Sequence, residues 1–285
     1  FDNLLRHLSV SKSVEHPAAS LRVVEPFVTK SNRYKPDELS RFLNDNYRFR
    51  FNLLSEVTEY QSVHSCTPEY VFLGEREMNT ICIEAFNSGI CCRDRDVKRY
   101  IRSTYIETYH PFHGYLDNLP EWDGIDRITD LSGRVSATPY WKNCFHRWML
   151  ALTAQWMGLN RDMHANSIAP LLISTEQGRH KSTFCKLLVP ASLQAYYTDQ
   201  FDISEGNSAE VKLALMGLIN LDEFDRLSVR KMAQLKNLMQ MPSLNVRKAY
   251  KKNYCQLPRI ASFIGTSNRK DLLTDPTGSR RFISG

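Results

Sequence analysis

The stretch ISTEQGRHKSTF, residues Ile173–Phe184, determines how the rest of the chain is interpreted. Phosphate-cradling loops have the pattern G-x-x-x-x-G-K-[ST], in which glycines let the backbone approach the phosphates. Aligned with this pattern, Thr175 and His180 occupy the glycine positions, and only Lys181 and Ser182 match. The stretch is therefore either a phosphate-binding loop without its two glycines or an ordinary helix start with hydroxyl caps.

The order of elements around this stretch favours a phosphate-binding loop. SIAPLLIS (167–174) has the length and apolar character of a buried strand, and KSTFCKLLV (181–189) has helical character and ends before Pro190. Such a loop requires the order strand, loop, helix. The phosphate-binding interpretation is therefore retained despite the replaced glycines.

Two more apolar strands follow the loop. MGLINLDEFD (216–225) ends in Asp222 and Glu223, and RIASFIGTSN (259–268) ends in polar residues; VRKMAQLKNLMQM (229–241) between them reads as a helix. Three apolar strands separated by helical segments predict an α/β protein with a parallel sheet. In such sheets, ligand-binding groups lie at the carboxyl ends of the strands.

The region before the loop predicts a smaller α+β unit. KPDELSRFLNDNY (35–47) reads as a helix, and YRFRFNLLSEVTEYQSV (47–63) alternates like two strands joined by a turn. REMNTICIEAFNSGI (76–90) and DRDVKRYIRSTYIETY (94–109) both read as helices. A long helix is predicted over YWKNCFHRWMLALTAQWMG (140–158), whose apolar residues recur at helical spacing.

Length and composition indicate a folded soluble protein. The chain has 285 residues, of which 42% are hydrophobic and 24% charged, and this composition excludes a disordered chain. No apolar run approaches the roughly 20 residues that cross a bilayer, and the first residues lack the apolar segment of a signal peptide. We therefore expect a cytoplasmic protein without a membrane partner. Because the sequence begins without Met and stops abruptly at RRFISG, we interpret it as a fragment of a longer protein.

The seven cysteines form no metal-binding or disulfide pattern. Their number is odd and no C-x-x-C pair occurs, which predicts reduced thiols in a cytosolic protein.

Charge is distributed unevenly. Between Arg226 and Lys270 there are 11 Lys or Arg residues and no Asp or Glu, so the rest of the chain carries 6 − 11 = −5. A long basic stretch in an otherwise acidic protein indicates a polyanionic partner; the alternative is a solvated helix face with loop charges.

ATP hydrolysis requires a phosphate cradle, Mg²⁺, a polarised water and positive charge, and the loop supplies candidates for the first two. Lys181 would reach the β- and γ-phosphates, and the Ser182 hydroxyl would ligate Mg²⁺. Backbone N–H groups of the loop would hold the phosphates, and Gly178 supplies a position of free φ. The predicted nucleotide-binding residues are Gly178, Arg179, His180, Lys181, Ser182 and Thr183.

The later strands supply the remaining groups. Asp222 would hold Mg²⁺ through water, and Glu223 would activate the attacking water; the alternative is a helix N-cap with an acidic first turn. Asn268 could orient that water, or could be a turn residue. Arg280 and Arg281 lie in a turn-rich stretch, LLTDPTGSRRF, where an arginine finger could reach a neighbouring subunit; position alone favours an ordinary solvated pair.

A basic and aromatic stretch, RKAYKKNY (247–254), lies in a predicted hairpin with its turn near Lys251–Asn253. Cations that track phosphates and rings that stack on bases are typical of single-strand binding without sequence preference. The predicted nucleic-acid-binding residues are Arg247, Lys248, Tyr250, Lys251, Lys252 and Tyr254.

Several of these segments together resemble the virulence-associated E (VirE) family. They are LLISTEQGRHKSTFCKLL, GLINLDEFDRLS, LKNLMQ, RKAYKKNY and IASFIGTSNRKDLLTDPTGSRRF, with YHPFHGYLDNLPEWDGIDRI upstream. The resemblance covers residues 100–285 well and 36–99 more loosely.

The resemblance implies a P-loop ATPase similar to the superfamily 3 and AAA+ primase-helicases of phages and bacterial mobile elements. It implies ATP and Mg²⁺ as cofactors, single-stranded DNA or RNA as partner, and assembly into a homo-oligomeric ring such as a hexamer. In its terms, Lys181 and Ser182 match Walker A, Asp222 and Glu223 match Walker B, and Asn268 matches sensor 1. Arg280 or Arg281 matches the arginine finger, and the basic hairpin takes the place of a DNA-gripping hairpin.

The implied organisation has three parts: an extended linker over 1–35, an α+β accessory region over 36–122, and a P-loop ATPase domain over 123–285, truncated at its C-terminus. Thr175 and His180 depart from the family pattern, and a side chain at the second glycine position can crowd the phosphates.

Three functions remain open at the level of sequence. The first is an ATP-dependent helicase or translocase. The second is a nucleic-acid-binding module with a degenerate loop that does not hydrolyse ATP. The third is a small-molecule P-loop kinase, which the basic stretch disfavours because such an enzyme has no need of it.

Overall fold

The structure, a computed structural model, describes residues 34–66, 69–159, 165–176, 178–247, 254–269 and 279–285. The first elements are α1 (Pro36–Asn46), β1 (Tyr47–Asn52), β2 (Val57–Ser62), β3 (Val71–Phe72), α2 (Glu75–Asn87), α3 (Asp94–Ile101) and β4 (Glu107–Tyr109). Their strands form a first sheet in the order β3-β2-β1-β4. The predicted helix over 35–47 and the predicted pair of strands after it are confirmed.

Helices α1, α2 and α3 cover one face of this first sheet, and the other, its open face, is only partly covered. Tyr47 and Phe49 of β1 pack with the buried residues of α1, α2 and α3. Because successive side chains of a strand point to opposite faces, Arg50 and Asn52 lie on the other face. That face therefore carries polar side chains from its central strand.

The prediction of one helix over 94–109 is wrong in its second half. Helix α3 ends at Ile101, and Glu107–Tyr109 forms strand β4, which pairs in parallel with β1. Glu107, Thr108 and Tyr109 lie opposite Arg50, Phe51 and Asn52. In so short a segment, hydrogen bonding to the neighbouring strand β1 outweighs the helical periodicity of the sequence.

Three helices connect the first sheet to the second: α4 (Pro111–Asp117), α5 (Arg127–Gly133) and α6 (Pro139–Trp156). The long helix predicted over 140–158 is confirmed as α6. Its buried residues are Trp141, Phe145, Trp148, Leu152, Gln155 and Trp156. They recur at helical spacing, so the stripe is core.

The second sheet is parallel throughout. It contains β5 (Ala169–Ile173), β6 (Tyr197–Thr198), β7 (Leu218–Leu221), β10 (Ser262–Ser267) and β11 (Phe282–Ser284). The order is β11-β5-β10-β7-β6, and every neighbouring pair is parallel. The predicted parallel α/β sheet is therefore confirmed, with its three predicted strands β5, β7 and β10 at the centre. The edge strands β6 and β11 have two and three residues, too few to show a periodic pattern.

Helices cover both faces of the second sheet. They are α7 (Lys181–Leu187), α8 (Asn207–Leu215) and α9 (Val229–Leu238). Leu218 and Ile264 face one core with α6 and α7, while Ile219 and Phe263 face the other with α8 and α9. The two buried faces explain why these strands read as unbroken apolar runs.

A two-stranded antiparallel hairpin, β8 (Ser243–Val246) and β9 (Cys255–Pro258), lies between α9 and β10. Its two strands confirm the predicted hairpin. The predicted turn near Lys251–Asn253 lies outside the described residues.

Among the helices of the described chain, none has the length and apolar character needed to cross a membrane.

Candidate functional site

The candidate site lies where the central strands of the second sheet end. β10 stands between β5 and β7, so the loop after β5, the end of β10 and the carboxylates after β7 meet at one edge. They surround a cavity of about 350 Å³. Its lining residues are Gly178, Arg179, His180, Lys181, Ser182, Thr183, Asp222, Glu223, Thr266, Ser267 and Asn268. The fold thus brings together all the predicted loop residues, both carboxylates and the predicted amide.

At the second glycine position, the loop backbone adopts the left-handed conformation that a glycine would favour. Gly178 has φ 76°, and His180, directly before α7, has φ 53° and ψ 31°. This left-handed conformation costs an ordinary residue about 1–2 kcal/mol, although histidine is among the side chains enriched there. The second glycine position is therefore left-handed although it carries a side chain.

Lys181 is held between two strands. Its Nζ donates to the carbonyl oxygen of Ser174 at 3.0 Å and to Oδ1 of Asn268 at 2.7 Å. Ser174 directly follows β5 and Asn268 directly follows β10. The ammonium group is thus fixed at the cavity wall without a carboxylate partner in the described chain.

Asp222 accepts hydrogen bonds from two hydroxyl groups on the same oxygen. Ser182 Oγ donates to Oδ1 of Asp222 at 3.3 Å, and Thr266 Oγ1 donates to that oxygen as well. Ser182 begins α7 and Thr266 lies near the end of β10, so Asp222 links three elements. A hydroxyl and a carboxylate are hard oxygen donors of the kind that Mg²⁺ prefers.

The described residues contain no cluster of three or more His, Cys, Asp or Glu side chains that could hold a metal ion. A cation held by Ser182 and Asp222 alone would rely on water and on a ligand's own oxygens. Mg²⁺ is bound in this way in phosphate-binding sites, so the donor set fits that ion.

Glu223 is the second left-handed residue at the cavity, with φ 50°. Its carboxylate pairs with Nη1 of Arg226 at 2.6 Å, and both side chains are substantially exposed. Three non-glycine residues of the described chain have positive φ, and two of them, His180 and Glu223, line this cavity. A left-handed conformation at a non-glycine residue is strained and persists only where the surrounding structure stabilises it. Such residues cluster at functional sites.

Two site residues, Thr266 and Ser267, were not predicted from the sequence. Thr266 bonds Asp222, and Ser267 Oγ donates to Oδ1 of Asp225 at 2.9 Å. The signal that could have identified them is the run Gly-Thr-Ser-Asn, which ends a buried strand in hydroxyl side chains. Their contacts join residues 42 and 44 positions apart, so only the paired strands reveal them.

A thiol lies buried beneath the site. Burial, and to a smaller extent the negative charge of Asp222, raise the pKa of Cys185 to about 12. The thiol is therefore protonated at neutral pH and serves as an apolar filler between α7 and the sheet.

The predicted arginine finger lies away from the cavity. Arg280 and Arg281 form a short 3-10 turn directly before β11, whose first residue, Phe282, pairs with Ala169 at the start of β5. They are thus at the amino edge of the sheet, opposite the cavity.

The structure describes only part of the predicted nucleic-acid-binding stretch. Arg247 follows β8, and its backbone N–H and carbonyl bind the side chain of Asn207 at 2.9 and 3.0 Å. Tyr254 precedes β9 and is 70% exposed. Lys248, Tyr250, Lys251 and Lys252 lie outside the described residues.

One cation of the basic stretch is not available to a polyanion. Arg259 is 2% exposed and donates to the carbonyl oxygens of Met239, Met241, Asn166 and Ala261. Burial lowers its pKa to about 9, so the group remains charged at neutral pH. It ties the base of the hairpin to the second sheet.

Comparison with known proteins places the chain among related sequences and folds. The family model for the virulence-associated protein E-like domain matches residues 116–284, more than half of the chain. The A form apo structure of the NrS-1 C-terminal region (305–718) is similar, with 13% identity and a TM-score of 0.50, over 87% of this chain and 59% of that one. A second apo structure of the same region has 13% identity and a TM-score of 0.48, over 87% and 60%. The chain thus spans about three-fifths of these structures. A comparison with curated proteins gives no match.

Proposed function

The chain belongs to the family of virulence-associated protein E-like domains, and on that premise we propose that its α/β part is a P-loop ATPase of the primase-helicase type. It would couple ATP hydrolysis to movement on single-stranded nucleic acid. The observation that carries the proposal is the convergence of Lys181, Ser182, Asp222, Glu223 and Asn268 on one cavity at the carboxyl edge of a parallel sheet.

Each of these cavity residues has a separate role in the proposed reaction. Lys181 and the loop backbone would hold the phosphates of ATP, and Ser182 and Asp222 would hold Mg²⁺, which when bound neutralises charge on the phosphate oxygens. Asn268 holds the Lys181 ammonium at the cavity wall. Thr266 fixes the orientation of Asp222.

Glu223 is the proposed general base, whose carboxylate would accept a proton from the attacking water. It lines the cavity and is half-exposed, so water reaches it. Its ion pair with Arg226 holds the side chain in one direction. The residue therefore has the position and the access to water that a general base requires.

The decisive experiment measures Mg²⁺-dependent ATP hydrolysis, with and without single-stranded DNA, for the wild type and Glu223→Gln. We expect DNA-stimulated turnover that Glu223→Gln lowers at least a hundredfold while ATP binding is retained. Glu121→Gln, an exposed carboxylate outside the cavity, is the matched control and is expected to keep full activity.

A second candidate function is supported by a specific observation. His180 keeps a left-handed backbone but adds an imidazole to the cavity lining, which could exclude the phosphates. The chain would then be a nucleic-acid-binding module without hydrolysis. Absence of both ATP binding and turnover in a correctly assembled protein, with DNA binding intact, would establish this alternative.

Assembly into a ring, for which we propose a hexamer, is supported by the position of the two arginines. Arg280 and Arg281 are at the amino edge, away from the cavity of their own chain, where only a neighbouring subunit could use them. Mixing an Arg280→Ala/Arg281→Ala double variant with Lys181→Ala tests this. Recovery of ATPase activity in the mixture would show that the arginines act in trans.

The basic stretch is the proposed contact for nucleic acid. Arg247 and Tyr254 flank the hairpin turn, and the stretch from Arg226 to Lys270 contains 11 basic residues and no acidic residue. Affinity for single-stranded DNA should fall steeply with salt, because bound cations release counterions from the phosphates. A small-molecule kinase would show no such affinity.

A further inference from the structure

A second cavity, of about 700 Å³, lies between the first sheet and the second part of the molecule. We call it the sheet cleft. One wall is the open face of the first sheet, with Arg50, Phe72, Glu107 and Tyr109; the other comes from α4 and the 3-10 turn Ala191–Tyr196. Its volume is within the range of ligand pockets, about 300–1,000 Å³.

The open face carries a stack of planar groups. The guanidinium carbon of Arg50 lies 4.0 Å from the ring centre of Tyr70 and 3.9 Å from that of Tyr109. Glu59 accepts from Arg50 Nε at 2.8 Å and from Tyr109 Oη at 2.8 Å. The guanidinium therefore lies within stacking distance of both rings, and hydrogen bonds to Glu59 hold Arg50 and Tyr109 in place. We call Arg50, Glu59, Tyr70 and Tyr109 the ladder.

Hydrogen bonding makes this ladder electrically neutral. Burial opposes ionisation of Glu59, but hydrogen bonds from Asn52, Tyr109 and Arg50, with the charge of Arg50, prevail and lower its pKa. Glu59 is thus ionised and cancels Arg50. Glu107 has no ion pair with any described residue, so the cleft carries no excess positive charge to hold a phosphate.

Next to this ladder, aromatic surface is exposed. Phe72, which lies opposite Glu59 in the strand register, is 62% exposed on the edge strand β3. Tyr115 adds a half-buried ring from α4. Exposed aromatic surface beside a neutral ladder is suited to stacking on a planar ligand.

We propose that the sheet cleft binds an unstacked nucleobase of a single-stranded nucleic acid, by stacking on Phe72. Sheet faces with exposed aromatic side chains bind single strands in this way, because every base has a π-face. The choice of partner rests on the proposed function, but the site is independent of ATP hydrolysis. It would add a base-binding contact to the phosphate-binding cations of the hairpin.

The cleft is also linked to the loop site. The turn Ala191–Tyr196 follows the end of α7 by three residues, and Gln194 Nε2 donates to the carbonyl oxygen of Lys186 at 2.9 Å. Asn52 Nδ2 donates to Oη of Tyr196 at 2.7 Å. A base in the cleft would therefore contact a segment bonded to the helix that begins at Lys181.

The test measures binding of a fluorescent single-stranded oligonucleotide without ATP or Mg²⁺, so that failure of the ATPase proposal does not affect it. We expect Phe72→Ala to weaken binding about tenfold, the loss of one base stack, and Phe72→Trp to retain it. Phe86→Ala is the matched control, since Phe86 is 74% exposed on α2 and outside the cleft; it should bind as the wild type does.

Photocrosslinking with a 5-iodouracil oligonucleotide gives an independent readout. Crosslinks to peptides that contain Tyr70, Phe72 or Tyr115, lost in Phe72→Ala, would support the proposal. Equal affinity of all variants with crosslinks confined to the hairpin would overturn it. Two other results would also overturn it. Occupation of the cleft by an arginine-rich peptide but not by the oligonucleotide would identify a peptide ligand. Protection of the cleft by deoxycytidine monophosphate but not by the oligonucleotide would identify a free nucleotide.

Discussion

The loop site and the ladder of the sheet cleft are held together by different parts of the fold. In the loop site, Lys181 meets Asn268 across 87 positions and Ser182 meets Asp222 across 40. In the sheet cleft, Arg50 meets Glu59 across nine positions through the register of one hairpin, and Tyr109 of β4 meets Glu59 across 50. The loop site therefore depends on the parallel sheet as a whole, whereas the ladder of the cleft depends on two adjacent strands and β4.

The two regions also differ in how fully their polar groups are satisfied. Glu59 accepts from Arg50, Asn52 and Tyr109, and this makes the cleft wall rigid. The loop site has fewer contacts per group and two left-handed residues, His180 and Glu223. A carboxylate whose hydrogen-bonding sites are occupied keeps one position, whereas a polar group with a free hydrogen-bonding site can bind a ligand.

The largest effect should come from Lys181. Lys181→Ala removes the ammonium that joins the loop to the end of β10, and we expect ATP turnover to fall about 10²–10³-fold, the effect of losing one preorganised charge-stabilising group. Steady-state hydrolysis is the measurement. Lys186→Ala, on the exposed side of the same helix, is the control; an equal loss there would show that the helix, not the cavity, was damaged.

A smaller effect should follow removal of the Thr266 hydroxyl. Thr266→Ala frees Asp222 from one of its two hydroxyl partners, and loss of such a supporting bond lowers metal affinity about 10–100-fold. The Mg²⁺ concentration for half-maximal ATPase activity should rise accordingly. Thr266→Ser keeps the hydroxyl and should restore it; if both variants behave alike, the hydroxyl does not position Asp222.

Glu59→Gln tests the sheet cleft through its effect on the stability of the protein. It leaves the largely covered Arg50 without its counter-charge, and we expect a loss of about 2 kcal/mol in unfolding free energy at pH 7. Chemical denaturation measures this, while ATPase activity at low temperature should be unchanged. A loss of activity without a loss of stability would contradict the division between the two regions.

The same residue predicts a pH dependence. Because the folded pKa of Glu59 is lowered, its contribution is fully present above the unfolded value of about 4.3 and is lost as pH falls through the folded pKa. Wild-type stability should therefore decline more steeply below about pH 4 than that of Glu59→Gln. Parallel curves for the two proteins would refute this contribution.

The smallest effect concerns the replaced glycine. His180→Val places a β-branched residue in the left-handed region and should cost about 1–2 kcal/mol of stability. In His180→Gly, relief of strain offsets the extra freedom of the unfolded chain, so stability should stay within about 0.5 kcal/mol. Thermal unfolding of both variants checks this; equal melting temperatures would mean that the left-handed conformation is not maintained.

The sequence predicted most of the elements, and the strands that it missed have a common physical cause. The strands β5, β7 and β10 were identifiable because a parallel sheet buries both faces, which leaves unbroken apolar runs. Strand β4 was assigned to a helix, and β6 and β11 were not predicted, because segments of two or three residues carry no periodicity. Such strands form only where a neighbouring strand offers them hydrogen bonds.

By itself, the sequence determined the order of strand, loop and helix, the parallel α/β class, and the residues that end the central strands. These follow from local periodicity and from the chemistry of each side chain. Only the tertiary structure placed Thr266 on Asp222, Asn268 on Lys181, and Arg280 and Arg281 at the far edge. It also buried Arg259 within a stretch that charge alone assigns to the surface. The reason is that strand order sets which distant ends meet, and strand order depends on the packing of the whole sheet.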